Sequence, residues 1–474
     1  MTVAAQKIAA DPGAAITTLR SRIGFGFGDF GVSIGWNITN TFVLFYYTDA
    51  VGLPNAVAGT IIMAAMIWDG ITDPVIGVLA SWTRTRWGRY RPYMLFGCIP
   101  LALSLALMFH RPDLEGTELI VFVAATHLLF RTCYTVVAIP YSALIARLSR
   151  NADERSSLAV WRLLFATISG ALVAGLTLDL SKALGDGDLA VGFGRTAMIF
   201  AAFSVAAILV CVAVTRESES QADIDQPLPS IGNILQMLSK NSAFWLLFAI
   251  LFIGGTGSTI GGKSGLYFLK YNLESESLFG LFAGGYALTI ALSVPFWGWI
   301  AKRRGKKFVL LSAFSIAITV NGALFLLAHA SPLIIIPLMI LGAVGAGAVF
   351  LSISAAMPDT VEFGELKTGV RAEAVIYGLM AFAQKVSLGV AVGILGFGLD
   401  LIGYRANEVQ TAEATEGLIY LVSLVPMSFY IVCLVLARRF DLDQSRHAEI
   451  VREIAAKKRI ASDGAAGTSK SQGR

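Results

Sequence analysis

The sequence predicts an all-α membrane protein whose twelve spanning helices fall into two six-helix halves. Three observations predict it: an apolar excess too large for a soluble chain, twelve apolar runs of spanning length, and a polar stretch dividing them six and six. Of 474 residues, 55% are apolar and 15% charged, and the mean hydropathy is +0.69. Soluble domains carry about 25% charged residues. A span needs about 20 mostly apolar residues, and in lipid the backbone amides must pair within their own segment, which selects helices. The short alternating segments of about ten residues that mark an outer-membrane barrel are not seen.

The first six runs lie at 23–48, 56–81, 93–110, 118–148, 157–182 and 194–215. The second six lie at 242–270, 278–301, 308–329, 332–357, 375–403 and 417–438. Residues 216–241, with Glu217, Glu219, Asp223, Asp225 and two prolines, read as a cytoplasmic linker between halves 23–215 and 242–438. Residues 1–22 lack the features of a cleaved signal peptide and read as a cytoplasmic N-terminus. The tail 439–474 opens with an amphipathic, helical segment and ends in Gly, Ser and Ala residues expected to be disordered.

Loop charges orient the chain. Residues 84–91 carry four arginines and no acid, and residues 302–307 carry five basic residues. The opposite loops hold Asp49, then Asp113, Glu115 and Glu118, then Glu274 and Glu276, then Glu408, Glu413 and Glu416. Basic residues gather on the cytoplasmic side, so both termini are expected there, in a bacterial plasma (inner) membrane. That placement also accounts for the net charge of +5 without nucleic acid as a partner. The four cysteines lie in apolar runs and imply no disulfide framework. The halves also resemble each other: Gly77-Val-Leu-Ala80 before Trp87-Gly88-Arg89 recurs as Gly298-Trp-Ile-Ala301 before Arg304-Gly305-Lys306, and Asp153-Glu154-Arg155 has its counterpart in Gly369-Val370-Arg371. Parallel six-helix repeats around a central site characterise one large transporter class.

Ionisable groups inside spans are costly and mark function by default. Asp69 and Asp73 on the second span are four residues apart and share a helix face, with Thr72 beside them. Two such carboxylates repel unless a cation or a proton joins them, or arginines of a neighbouring helix pair with them. Pro74 frees a carbonyl near Gly70. Lys385, mid-span in the eleventh run, wants a carboxylate, and competition with a cation for Asp69 and Asp73 would couple two binding events. Lys263 sits in a glycine-rich stretch from Gly254 to Gly265 that predicts a broken seventh helix. Asp29, Ser33, Asn37 and Asn40 form a polar stripe on the first span, as expected for a cavity lining. Tyr134, Thr135, Tyr377 and Gln384 could extend it. Arg162 beside Trp161 suits either a hydroxylated ligand or an interfacial anchor, and His127 reads as a packed core residue. No phosphate loop, no His/Cys cluster with metal spacing and no nucleophile elbow occurs, so an enzyme is not expected. No cofactor is expected either, and uphill transport would draw on a gradient of Na⁺ or H⁺.

At these residues the chain resembles the glycoside–pentoside–hexuronide:cation symporters, the family of melibiose permease. The resemblance rests on Gly24–Gly31 (Gly-Phe-Gly-Phe-Gly-Asp-Phe-Gly), Tyr46-Tyr47-Thr48-Asp49, Ile67-Trp-Asp-Gly-Ile-Thr-Asp-Pro74 and Arg86-Trp-Gly-Arg89. Asp359-Thr-Val-Glu-Phe-Gly-Glu365 and Lys367-Thr-Gly-Val-Arg371 add to it, and it spans residues 23–439. It implies a major facilitator fold and symport of a sugar-like solute. By that pattern Asp69, Asp73 and Thr135 hold the cation with Lys385 beside them, while Thr72 is a cation-site candidate from its place next to the two acids. Asp29, Ser33, Asn37, Tyr134, Ser142, Arg162, Lys263 and Gln384 are the solute-site candidates. Arg84, Arg89 and Arg91 are expected to pair with Asp359, Glu362 and Glu365, near Arg371, as a cytoplasmic gate. The melibiose-type pattern has an asparagine where this chain has Thr72, leaving Na⁺ and H⁺ both open. Its sugar-gripping carboxylates fall at Ser33 and Ala138 and its stacking tryptophan at Ser142. A retained Arg162 without neighbouring carboxylates then predicts a neutral or anionic solute. The family's relatives include a lysophosphatidylcholine symporter, so a less polar solute is an alternative, as is a non-transporting sensor or scaffold. The expected partners are the bilayer and a small solute, with the monomer as the working unit.

Overall fold

A computed structural model of the chain describes residues 18–148, 152–217, 231–370, 372–441, 449–450 and 452–454. Its regular structure is helical, apart from one isolated bridge between Thr85 and Gly88. In chain order the first helices are α1 (Leu19–Phe45, continued by a π turn, Tyr46–Ala50), α2 (Asn55–Trp82), α3 (Arg91–Met108), α4 (Gly116–Leu148), α5 (Ala152–Leu184) and α6 (Leu189–Val214). After them come α7 (Ile231–Lys240), α8 (Ser242–Tyr271), α9 (Phe279–Leu326), α10 (Pro332–Thr368), α11 (Glu373–Leu401), α12 (Ala412–Val422) and α13 (Leu424–Arg438).

Ten stretches among the described residues are helical, long and apolar enough to cross a membrane. One of them contains α9, which holds both the predicted eighth and ninth spans. There the basic loop is reduced to Gly305, which leaves helical geometry at φ 82° and ψ 164°. Gly88, at the equivalent point of the other repeat, also takes a positive φ, 106°. A side chain at either place would be strained. α1 is long enough to span but is not among the ten; Arg20, Arg22, Asp29 and its run of glycines and asparagines dilute its apolar character.

Three expectations change. The seventh span is not broken: α8 runs unbroken through all its glycines. Those glycines serve packing instead, since a Cβ on Gly257 would come within 2.7 Å of Phe429 and one on Gly261 within 3.1 Å of Pro426. The tenth span does not stop near 357: α10 continues past Pro358 to the left-handed cap at Gly369, so Asp359, Glu362 and Glu365 lie on a helix. Inside the predicted linker, α7 forms an amphipathic helix whose Met237 joins a core with Phe244, Ile353, Ile376 and Met380. The predicted tail helix falls largely outside the described residues, although 449–450 and 452–454 are helical.

The described chain forms two compact units. The first holds α1 to α6 together with Ser277–Gly284 and Val392–Thr411. In it α1 packs on α5 and α6, α2 on α4, and α3 on α4 and α6. Asp400 accepts from Asn55 Nδ2 at 2.7 Å and from the Ala56 amide at 2.9 Å, capping α2. Tyr404 donates its hydroxyl to the Asp49 carboxylate at 2.9 Å, so this predicted loop acid is buried and partnered. The second unit holds α7, α8, most of α9, α10, the first part of α11, α12 and α13. There α8 packs against α10, α12 and α13, and Asn241 caps α8 at Phe244 while donating to Thr360 O at 2.8 Å.

Candidate functional site

The helical period sets Asp69 and Asp73 on one face of α2, and that face meets α4. Thr135 Oγ1 stands 2.7 Å from Asp69 Oδ1 and 3.0 Å from Asp73 Oδ1. Asp69 and Thr135 are both fully buried. A hydroxyl carries one proton, so it cannot give a full hydrogen bond to both acids. A proton on one carboxyl, or a cation among the three oxygens, would relieve the crowding. The donor set is all oxygen and anionic, which suits a hard monovalent cation or a proton and not a soft metal. Among the described residues no group of three or more His, Cys, Asp or Glu could hold a metal ion. Thr72 lies on the same helix but spends its proton on its own backbone, at Trp68 O and Asp69 O. Trp68 Nε1 donates to Thr132 Oγ1 at 3.0 Å and pins α2 to α4 one turn away.

A second cluster sits on α1, α4 and α5. Arg162 Nε lies 2.9 Å from Asp29 Oδ1, and its terminal nitrogen donates to Ser142 Oγ at 3.2 Å. The guanidinium stands 5.3 Å from the centre of the Tyr141 ring. Asp29 is buried, with its side chain 8% exposed, while Arg162 is 35% exposed. This corrects one expectation, because Arg162 does have a neighbouring carboxylate. Asp29 precedes Ser33 by four residues, so α1 supplies its acid one turn away from the position where the resemblance looked for it. Ser33 and Asn37 continue along α1, both half-buried, and Asn37 lies against Gly170 of α5. Tyr134 stacks on Trp36 with ring centres 5.4 Å apart.

The remaining candidates are placed as follows. Lys263 on α8 and Lys385 on α11 are half-buried and Gln384 is exposed, all in the second unit. Arg84 is exposed. Arg91 donates to Val212 O at 2.6 Å and to Trp87 O at 3.3 Å. Asp359 receives Lys306 Nζ at 2.7 Å. Glu365 is buried, Glu362 is half-buried, and Arg371 lies outside the described residues.

Two residues with chemistry escaped the sequence reading. In the sequence Glu217 is one of several linker acids. Its carboxylate accepts from the backbone amides of Arg89, Tyr90 and Arg91 at 2.7–2.8 Å, so it caps α3. Arg131, in the apolar run Leu128-Leu-Phe-Arg-Thr-Cys, is fully buried one turn before Thr135. Its signal is the one that Lys385 gives, a cation in mid-span.

The family model described as MFS/sugar transport protein matches residues 24–444. The uncharacterized symporter YnaJ of Bacillus subtilis (strain 168) is 29% identical over 438 residues, covering 91% of this chain and 94% of its own. The isoprimeverose transporter of Lactiplantibacillus pentosus is 29% identical over 402 residues, covering 84% and 83%. Among solved structures, a bacterial homologue of the human lysosomal transporter Spinster aligns with a TM-score of 0.68 at 13% identity, over 93% of this chain and 99% of its own. At that identity the likeness speaks for the fold: an all-α membrane protein of the major facilitator type. The chain therefore belongs to the MFS/sugar transport protein family.

Proposed function

We propose that this protein is a secondary symporter that moves a sugar-like solute together with Na⁺ or H⁺. The observation that carries the reading is Thr135 Oγ1 set between the Asp69 and Asp73 carboxylates in an all-oxygen cluster whose Asp69 and Thr135 are fully buried. Asp69, Asp73 and Thr135 are the cation ligands, with Thr72 contributing at most its lone pairs. Asp29 and Arg162 with Ser142 are the solute contacts: the carboxylate accepts from sugar hydroxyls and the guanidinium donates to ring or hydroxyl oxygens. Because acid and arginine neutralise each other, the favoured solute is a neutral glycoside or pentoside, ahead of a uronide or a lysolipid. Lys385 is kept as a coupling candidate on its chemistry, a mid-helix ammonium on α11. Twelve spans, with both termini cytoplasmic in a bacterial inner membrane, complete the reading. The names of relatives, a symporter and an isoprimeverose transporter, support the class.

The test is uptake of a labelled panel (pentosides, neutral glycosides and glucuronides) into proteoliposomes under an imposed Na⁺ or pH gradient. The reading expects concentrative uptake of a neutral member driven by one of the two gradients. Uptake that never exceeds equilibrium under either gradient would overturn it.

A further inference from the structure

On α4, His127, Arg131 and Thr135 follow one another at intervals of four residues, so they share a face, and all three are fully buried. The Arg131 Nε contacts His127 Nε2 at 3.4 Å, and His127 Nδ1 in turn meets the Tyr47 hydroxyl at 3.0 Å. From α1 the Trp36 ring lies over the guanidinium at 5.2 Å. Its two terminal nitrogens, each buried, have no hydrogen-bond partner among the described residues. An ionised guanidinium in such a place is costly unless its charge is used. The charged and titratable groups around it are Asp69 and Asp73 from α2, Tyr134 and His127 from α4, and Tyr47 at the end of α1. Of these, the two acids are the carboxylates that its charge can serve.

We propose that Arg131 is the resident counter-charge of the Asp69–Asp73 site, a specificity-determining residue that weakens the site's hold on the driving cation so that the cation can leave. The proposal rests on the cation-site reading above. A fixed positive charge one helical turn from Thr135 opposes any second positive charge among the same oxygens. Its unused N–H groups are ready to take a carboxylate oxygen once the cation departs, so the empty carrier does not leave the buried Asp69 bare. A guanidinium suits this task, since it keeps its charge when buried and its planar fork reaches two oxygens at once.

The experiment follows the thermal unfolding midpoint of the full-length protein in nanodiscs as NaCl replaces choline chloride. Where the wild-type protein answers to H⁺ and not to Na⁺, acid is added at constant choline instead. A cation that binds the folded state raises the midpoint once its concentration passes the dissociation constant, so the onset of the rise reports the half-saturating concentration. Arg131→Gln should lower the half-saturating cation concentration by roughly tenfold or more, as loss of a nearby opposing charge demands. Arg131→Lys, which retains a basic group without the fork, should shift that concentration clearly less than Arg131→Gln. No shift in Arg131→Gln, or the same shift in both variants, overturns the proposal. If Arg131→Gln does not insert, adding Asp69→Asn should restore insertion by removing the charge left uncompensated, and failure to do so also overturns it. The Asp69→Asn/Asp73→Asn double variant separates the two levels. If it still responds to the cation, the site reading falls. If it is silent while Arg131→Gln behaves as wild type, only the counter-charge falls.

Discussion

Two carboxylate clusters in the first unit use the same side chain in different ways. Asp29 is tied to Arg162 at 2.9 Å, with Ser142 as the arginine's further partner. Asp69 and Asp73 gather around the hydroxyl of Thr135 at 2.7 and 3.0 Å, with Arg131 a turn away along α4. The first is a closed ion pair in which each charge has its opposite in contact, on a partly open arginine. Such a pair offers fixed hydrogen-bonding edges to a neutral, hydroxylated molecule. The second concentrates acids around a group that can satisfy only one of them. That arrangement gains from an arriving proton or metal ion and loses from its departure. Coupling two solutes needs both kinds of site, one that reads shape and one that reads charge.

The comparison can be broken at several points. The largest effect is expected for Asp69→Asn and Asp73→Asn, each of which should abolish cation-dependent thermal stabilisation, because an amide neither holds the cation nor carries the proton. Persistence of the full response in both would mean the acids serve packing. Next, Asp29→Asn or Arg162→Gln should raise the half-saturating solute concentration by roughly ten- to a hundredfold, the worth of a hydrogen bond to a charged group. Cation stabilisation should survive in both, and its loss along with solute affinity would merge the two clusters into one site. A smaller change belongs to Thr135: removing its hydroxyl in Thr135→Ala should weaken cation binding by about tenfold, while Thr135→Ser should stay close to wild type. Equal behaviour of the two would show that the methyl group matters and the hydroxyl does not. The smallest concerns neither cluster. Glu217→Gln loses the charged cap of α3, which should cost about 1 kcal/mol and lower the melting temperature slightly, with transport unaltered in kind. A large transport defect in a protein that melts normally would assign Glu217 to gating.

That the chain is built of long apolar helices was legible in the sequence, because lipid demands length and apolar content, and neither depends on tertiary packing. The Asp69–Asp73 pair was legible for a related reason, since a four-residue spacing already determines a shared helix face. What lay beyond reach depended on neighbours. The glycines of α8 look like breaks until Phe429 and Pro426 are seen pressing on them. Asp29 could not be assigned to Arg162 because 133 residues separate them, and only the packing of α1 on α5 brings them together. The end of α10 lay beyond reach as well, since the helix continues through Pro358 to the left-handed Gly369. Arg131 was legible and was missed: a lone arginine in an apolar run carries the same message as Lys385.

The most direct measurement is the steady-state accumulation ratio of the transported solute in proteoliposomes under a fixed gradient of the driving cation, compared between wild type and Asp73→Asn, with solute exchange at equal concentrations measured in parallel. The wild-type ratio should rise well above one and track the imposed gradient. In Asp73→Asn the ratio should settle at one while exchange continues, because the solute contacts at Asp29 and Arg162 are intact. An Asp73→Asn ratio that follows the gradient as wild type does would contradict the account, since the cation would then be carried somewhere other than between Asp69, Asp73 and Thr135.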